Sequence, residues 1–340
     1  MRGLVARWIE ADPRFEVAAT SSDGEQGVRK AGELQPELVV LDIEMPRMNG
    51  LDALPLILKA APKARVIMAS TLTRQGAEVT MRALSLGAAD YAPKPEAGRV
   101  AGAEEYRREL LDKLFALSGQ AGIAPRPVVQ KDTRSFAPPP RRPMGAAAKA
   151  PSLIAIGSST GGPQALRDVV AALPKNARAP IVIAQHMPKL FTAILAEHLA
   201  KLGIPAAEAK HGEAILPGHI YLAPGDYHFT VTRSGPNLVA ALDQNPPVNF
   251  CRPAVDPLFE SCAKIAGSGL LGVVLTGMGH DGREGARAIL DAGGQVIAQD
   301  QASSVVWGMP GAVVEANLAN DVLPLKEIGP ELARRLKGPL

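Results

Sequence analysis

Short runs of consecutive apolar residues alternate along this chain with stretches whose apolar positions recur every three to four residues. In the first third the runs are ELVVLD (37–42), ARVIMAS (64–70) and AADYA (88–92), each predicting a buried strand. LDALPLILKAA (51–61), GAEVTMRALSLG (76–87) and AEEYRRELLDKLFAL (103–117) read as amphipathic helices, and so does the opening MRGLVARWIEA. The same alternation returns after residue 151. SLIAIG (152–157), APIVIAQH (179–186), HIYLAP (219–224) and LLGVVLTG (270–277) are strand-like, while PQALRDVVAAL, FTAILAEHLAKLG and GREGARAILDAG are helical. Strands alternating with helices predict parallel sheets covered on both faces. The two halves share no motif, so the expectation is two different α/β domains.

Composition separates the halves. Gly and Pro concentrate from Gly122 to Pro151, a stretch with no helical or strand period and with three prolines at 138–140. Such a segment carries too little apolar surface to offset the entropy of ordering it and reads as a tether. The expected division is a first domain at 1–118, a Pro-rich basic linker at 119–151 and a second domain at 152–336. The formal charge of +3 comes from the tether, where six Lys/Arg face a single Asp between 126 and 149. The remainder is near neutral, and no basic helix-turn-helix unit follows the tether, which argues against nucleic acid as a partner. Cys251 and Cys262 have neither disulfide-framework nor thiolate-zinc spacing. No apolar run reaches the roughly 18–20 residues a membrane span needs, and the charged N-terminus lacks a signal-peptide core. A cytoplasmic protein without membrane insertion is expected.

Ligand chemistry in parallel sheets gathers at the carboxyl ends of strands. In the second half the first strand ends in Ser158-Ser159-Thr160-Gly161-Gly162-Pro163, the second in Gln185-His186-Met187-Pro188, and the last in Thr276-Gly277-Met278-Gly279-His280-Asp281-Gly282. A hydroxyl, an imidazole and a carboxylate thus reach one sheet edge. Imidazole titrates near neutrality and can take a serine proton, and a carboxylate on its far nitrogen fixes the tautomer. Backbone N–H groups of the Gly-rich loop can hold an oxyanion. Each residue also has a plainer reading. Ser159 can cap a helix, His186 can close a strand, and Asp281 can form a turn. Ser158 is a rival nucleophile and His280 a rival base.

The ordered motifs Ile156–Gly162, Gln185–Pro188, Arg252-Pro253-Ala254-Val255-Asp256, Leu275–Gly282 and Gly308-Met309-Pro310 closely resemble the chemotaxis protein-glutamate methylesterases, the CheB family. Residue by residue, the resemblance implies Ser159 as nucleophile, His186 as general base, Asp281 as its carboxylate and the Met278 N–H as oxyanion contact. No cofactor is implied for catalysis. The implied reaction is hydrolysis of glutamyl methyl esters on the cytoplasmic helices of chemoreceptors, with deamidation of glutamine at the same site. Family members often carry His-Arg-Pro-Ser where this chain has Cys251-Arg252-Pro253-Ala254, a departure expected to touch only the rim of the site.

In the first half, Asp42 ends one strand, Ser70 the next, and Lys94 follows the last. Alone, these read as a solvated loop acid and a surface lysine. The run Val40-Leu41-Asp42-Ile43-Glu44-Met45-Pro46-Arg47-Met48-Asn49-Gly50 resembles flavodoxin-like response-regulator receivers. That resemblance implies Asp42 as phosphoacceptor, Ser70 as switch hydroxyl, Lys94 as its cation, and Mg²⁺ bound by Asp42 and the Glu44 carbonyl. A receiver opens with a strand ending in an acidic pair that completes the Mg²⁺ site, yet here the chain already reads as the first helix. The expected fold is therefore a receiver lacking its first strand, linked to a doubly wound parallel α/β methylesterase domain. Either the start lies further upstream, the favoured explanation, or phosphorylation has been lost. By analogy, phosphoryl transfer from a chemotaxis histidine kinase to Asp42 opens an esterase that the receiver covers. A non-catalytic regulator docking on receptors or kinase is the alternative, and an ungated esterase for a small substrate a third reading.

Overall fold

The computed structural model of the chain describes residues 1–94, 100–119 and 150–337. The chain divides into two units, Met1–Pro125 and Arg126–Leu340. Most of the expected tether, residues 120–149, lies outside the described residues.

The first unit runs α1 (Arg2–Glu10), α2 (Gly24–Leu34), β1 (Leu38–Asp42), α3 (Gly50–Ala60), β2 (Arg65–Ser70), α4 (Arg74–Ser85), β3 (Asp90–Pro93) and α5 (Val100–Leu117). Side chains start three of these helices. Asp23 accepts from Gln26 N, Asn49 from Asp52 N and Thr73 from Gly76 N, each occupying a donor that a helix leaves without an internal partner. The strands form a parallel sheet in the order β1-β2-β3, with Val40 beside Ile67 and Met68 beside Tyr91. Central β2 is buried from Val66 to Ser70, whereas Leu38, Val39 and Val40 of β1 are only half-buried. The cause is pairing: β1 has a neighbour on one side only, and residues 15–21 have no strand partner. This is the open edge that a receiver short of one strand predicts.

The second unit contains β4 (Leu153–Ser158), α6 (Gly162–Ala171), β5 (Ile181–Gln185), α7 (Phe191–Ala200), β6 (Ala206–Glu208), β7 (Ile220–Leu222), β8 (His228–Ser234), β9 (Asn237–Asp243), α8 (Val255–Ala266), β10 (Leu270–Val274), α9 (Arg283–Asp291), β11 (Gln295–Gln299), α10 (Met309–Glu315), β12 (Asp321–Leu323) and α11 (Leu325–Lys337). Seven strands make a parallel sheet in the order β12-β11-β10-β4-β5-β7-β6. β4, β5 and β10 are buried throughout, as continuous apolar strands covered on both faces must be. β8 and β9 form a separate antiparallel hairpin around Gly235-Pro236. β8 alternates apolar and polar residues, so a search for apolar runs passes over it, whereas β9 carries the run Leu238–Leu242 that the sequence reading left unassigned. The carboxyl ends of β4, β5 and β10 therefore adjoin at the middle of the sheet.

Candidate active site

Ser159 follows the last residue of β4 and His186 the last of β5, and the two strands are paired at Ser158 and Gln185. The backbone on both sides is tied down. Ser159 N donates to Thr276 O at 3.0 Å, its carbonyl accepts from Gly162 N at 2.8 Å, and His186 N donates to Ser158 O at 3.1 Å. Buried Gln185 braces the pair: its Nε2 donates to Ser159 O at 2.9 Å while its Oε1 accepts from Ser158 Oγ at 2.6 Å. Ser158 is thus fully buried and committed, which removes it as a nucleophile. Ser159 is half-buried, and no side chain among the described residues bonds its Oγ. It is also not the helix cap, because the N-cap of α6 is Gly161.

Gly161 has φ +76°, and a Cβ there would lie 2.7 Å from Val305 Cβ. The left-handed backbone and the crowding both require glycine. At Gly277 a Cβ would run into Met309 Sδ and stand 2.8 Å from Ser159 Cβ, so only glycine lets this loop pass the serine. Neither Thr160 N–H nor Met278 N–H donates to a group among the described residues, so two donors beside Ser159 remain uncommitted. The Thr160 donor was not anticipated, although it belongs to the residue after the expected nucleophile, a usual oxyanion position.

The His186 ring is held at both nitrogens. Nε2 lies 2.7 Å from Asp281 Oδ2, and Nδ1 lies 3.3 Å from Cys251 Sγ. Asp281 is buried, with Oδ2 also accepting from Val255 N and Oδ1 accepting from Asp256 N, Gly282 N and Asn249 Nδ2. Burial alone would raise its pKa. The His186 ring and the N–H groups of Val255 and Asp256 outweigh burial and hold the carboxyl far below the usual range. For His186, burial pushes down, but Cys251 and the Asp281 hydrogen bond prevail and lift the ring to about 10. His280, the rival base, is exposed on the surface.

Cys251 corrects the sequence expectation. It stands against the imidazole itself, not on the rim. The motif carrying it also contributes Asp256, a buried carboxylate that accepts from Gly282 N at 2.9 Å, Gly285 N at 2.7 Å and Asn249 Nδ2 at 2.9 Å. Burial first, and then neighbouring Asp281, raise Asp256 to about 6. Sequence reasoning quoted this aspartate within a motif but gave it no role. Its position at the start of α8, facing the turn of Asp281, is a tertiary fact.

In the first unit Asp42 Oδ1 accepts from Lys94 Nζ at 2.5 Å and from Glu44 N at 3.0 Å. The loop after Asp42 is anchored by an ion pair between Arg47 and the buried Asp23. Ser70 Oγ is buried and turned to α4, 3.1 Å from Gly76 O and 2.7 Å from Thr80 Oγ1. For the implied Mg²⁺, these residues offer one carboxylate, already bridged to an ammonium, and one carbonyl. No cluster of three or more His, Cys, Asp or Glu suited to a metal occurs among the described residues. Such a cation usually keeps several waters and takes one or two carboxylates plus phosphate oxygens, so Asp42 and the Glu44 carbonyl would supply part of its octahedral set.

Residues 154–332 match the CheB methylesterase family, and residues 1–101 match the response regulator receiver domain. The chain is 54% identical to a protein-glutamate methylesterase/protein-glutamine glutaminase of Maricaulis maris, covering 99% of this chain and 93% of that protein. It is 51% identical to one of Caulobacter vibrioides, covering 99% and 96%. The Thermotoga maritima CheB methylesterase catalytic domain superposes with a TM-score of 0.53 at 42% identity, covering 54% of this chain and 98% of that one.

Proposed function

Since the chain belongs to the CheB methylesterase family and joins that domain to a response-regulator receiver, we propose that it hydrolyses glutamyl methyl esters on chemoreceptors through Ser159, His186 and Asp281. The enzyme is a carboxylic ester hydrolase and, as its relatives' names state for them, a glutaminase as well. The pairing of His186 with a buried, multiply held Asp281, beside a serine whose backbone is pinned, carries this reading.

With Nε2 committed to Asp281, Nδ1 is the nitrogen that takes the Ser159 proton. The oxygen of Ser159 attacks the ester carbonyl, and the N–H groups of Met278 and Thr160 receive the oxyanion. Collapse returns the proton from His186 to the methoxy oxygen, and methanol leaves an acyl-serine. Water, deprotonated by the same nitrogen, releases glutamate and restores Ser159. For glutamine the leaving group is ammonia. No metal enters any of these steps.

The receiver part, 1–118, accepts a phosphoryl group on Asp42 Oδ from a histidine kinase, with Lys94 neutralising charge and Ser70 able to turn from α4 toward the phosphate. The catalytic part is 152–336, and phosphorylation of the receiver raises its activity. Among the described residues no helix is long and apolar enough to cross a membrane. We place the reaction in the cytoplasm, on the cytoplasmic helices of methyl-accepting receptors.

Methanol release from a methylated receptor fragment tests this. Ser159→Ala abolishes it while circular dichroism stays native. An unchanged methanol yield in that variant removes Ser159 as nucleophile.

A further inference from the structure

The nitrogen that Ser159 needs already has an occupant. Nδ1 of His186 faces Cys251 Sγ at 3.3 Å, whereas no hydrogen bond joins it to Ser159. We propose that Cys251 is a positioning residue for ester hydrolysis: its sulfur holds the base nitrogen of His186 in the resting site, and Ser159 gains that nitrogen only when the sulfur lets go. The proposal rests on the reading of Ser159 as nucleophile.

The sulfur is placed by its loop. Cys251 forms a two-bond backbone bridge with Val248. Asn249 and Phe250 before it both have left-handed φ, +51° and +64°, which aims the Asn249 amide at Asp281 and leaves Phe250 in solvent. Such backbone is strained for residues other than glycine and persists where neighbours enforce it. Arg252, next in sequence, is clamped to Asp226 and to the carbonyls of Gln244 and Asn245. Cys251 is half-buried, while Cys262 is fully buried within α8.

The ring meets Asp281 at Nε2 and Cys251 at Nδ1. Asp256 lies behind Asp281, and no other ionised side chain bonds the ring among the described residues. A proton shared between the sulfur and Nδ1 leaves that nitrogen without a free lone pair for Ser159, and the sulfur and Asp281 together raise the ring against the pull of burial.

The test is the pH profile of kcat/KM for methanol release. Cys251→Ser keeps a hydroxyl on Nδ1 that does not ionise, and Cys251→Ala removes the contact. Both shift the acid limb down by about one pH unit or more, so hydrolysis near neutrality rises roughly tenfold, and all profiles converge at high pH. Coincident acid limbs, or a uniform loss at every pH, overturn the proposal, because packing alone produces those results. A second readout needs no esterase. In a Ser159→Ala background, iodoacetamide alkylates Cys251: a carbon–sulfur bond forms and iodide leaves. His186→Gln slows this at neutral pH by about tenfold. Equal alkylation rates would refute the thiol–imidazole coupling whether or not Ser159 is the nucleophile.

Discussion

Nε2 of His186 sits 2.7 Å from Oδ2 of Asp281, and the same carboxylate is gripped by the N–H groups of Val255, Asp256 and Gly282 and by the Asn249 amide. Its orientation is set before any substrate arrives. Asp281→Asn puts an amide where a carboxylate must accept, and the ring loses its tautomer. The expected loss in kcat is roughly 10³–10⁴, read as methanol release, and a loss below tenfold would exclude Asp281 from the catalytic unit.

Gln185 links the two strand ends through Ser158 Oγ and Ser159 O. Gln185→Leu keeps the volume but strands both groups in a buried place. It lowers unfolding free energy by about 1–3 kcal/mol, measured by urea titration, and reduces esterase rate more than a distant change of equal stability cost. Full activity in this variant would show that the brace is dispensable.

Asp256 and Asp281 pull stability in opposite directions with pH. Burial, then Asp281, raises the Asp256 carboxyl above its unfolded value to about 6. Its contribution is therefore complete below its unfolded value near 4 and is lost as pH rises through about 6. Asp281, held low, contributes above its unfolded value and loses that contribution as pH falls. Between about pH 4 and 7, the unfolding free energy of wild type should fall relative to Asp256→Asn. A difference that stays flat across this window would contradict the shift.

Asp42 and Lys94 make the corresponding pair in the receiver. A ³²P-labelled small phosphoryl donor labels wild type in proportion to Asp42, and Asp42→Asn removes the label. Label persisting in that variant would move the acceptor elsewhere.

Much of this was legible in the sequence because it lay in runs and ends. ELVVLD, SLIAIG and APIVIAQH each carry an unbroken apolar run, and the polar residues that end or follow it, Asp42, Ser158-Ser159 and Gln185-His186, fall where parallel sheets place chemistry. The open edge at Leu38–Val40 was legible too, since the chain reads as helix where a receiver has a strand. What stayed hidden was contact across the fold. Asp256 and Asn249 reach Asp281 from 25 and 32 residues away, and Cys251 reaches His186 across 65. No local period encodes such meetings. Of the hairpin, β8 was hidden because its apolar residues alternate with polar ones, while the run Leu238–Leu242 of β9 was present in the sequence and went unassigned.

The central claim is that Ser159 is made nucleophilic by His186 and Asp281, and covalent capture tests it most directly. A serine-directed phosphonate incubated with the full chain, followed by peptide mass mapping, should give one adduct per chain on Ser159, strongly slowed in His186→Gln. No adduct, or an adduct on another serine with Ser159 unmodified, would contradict the account.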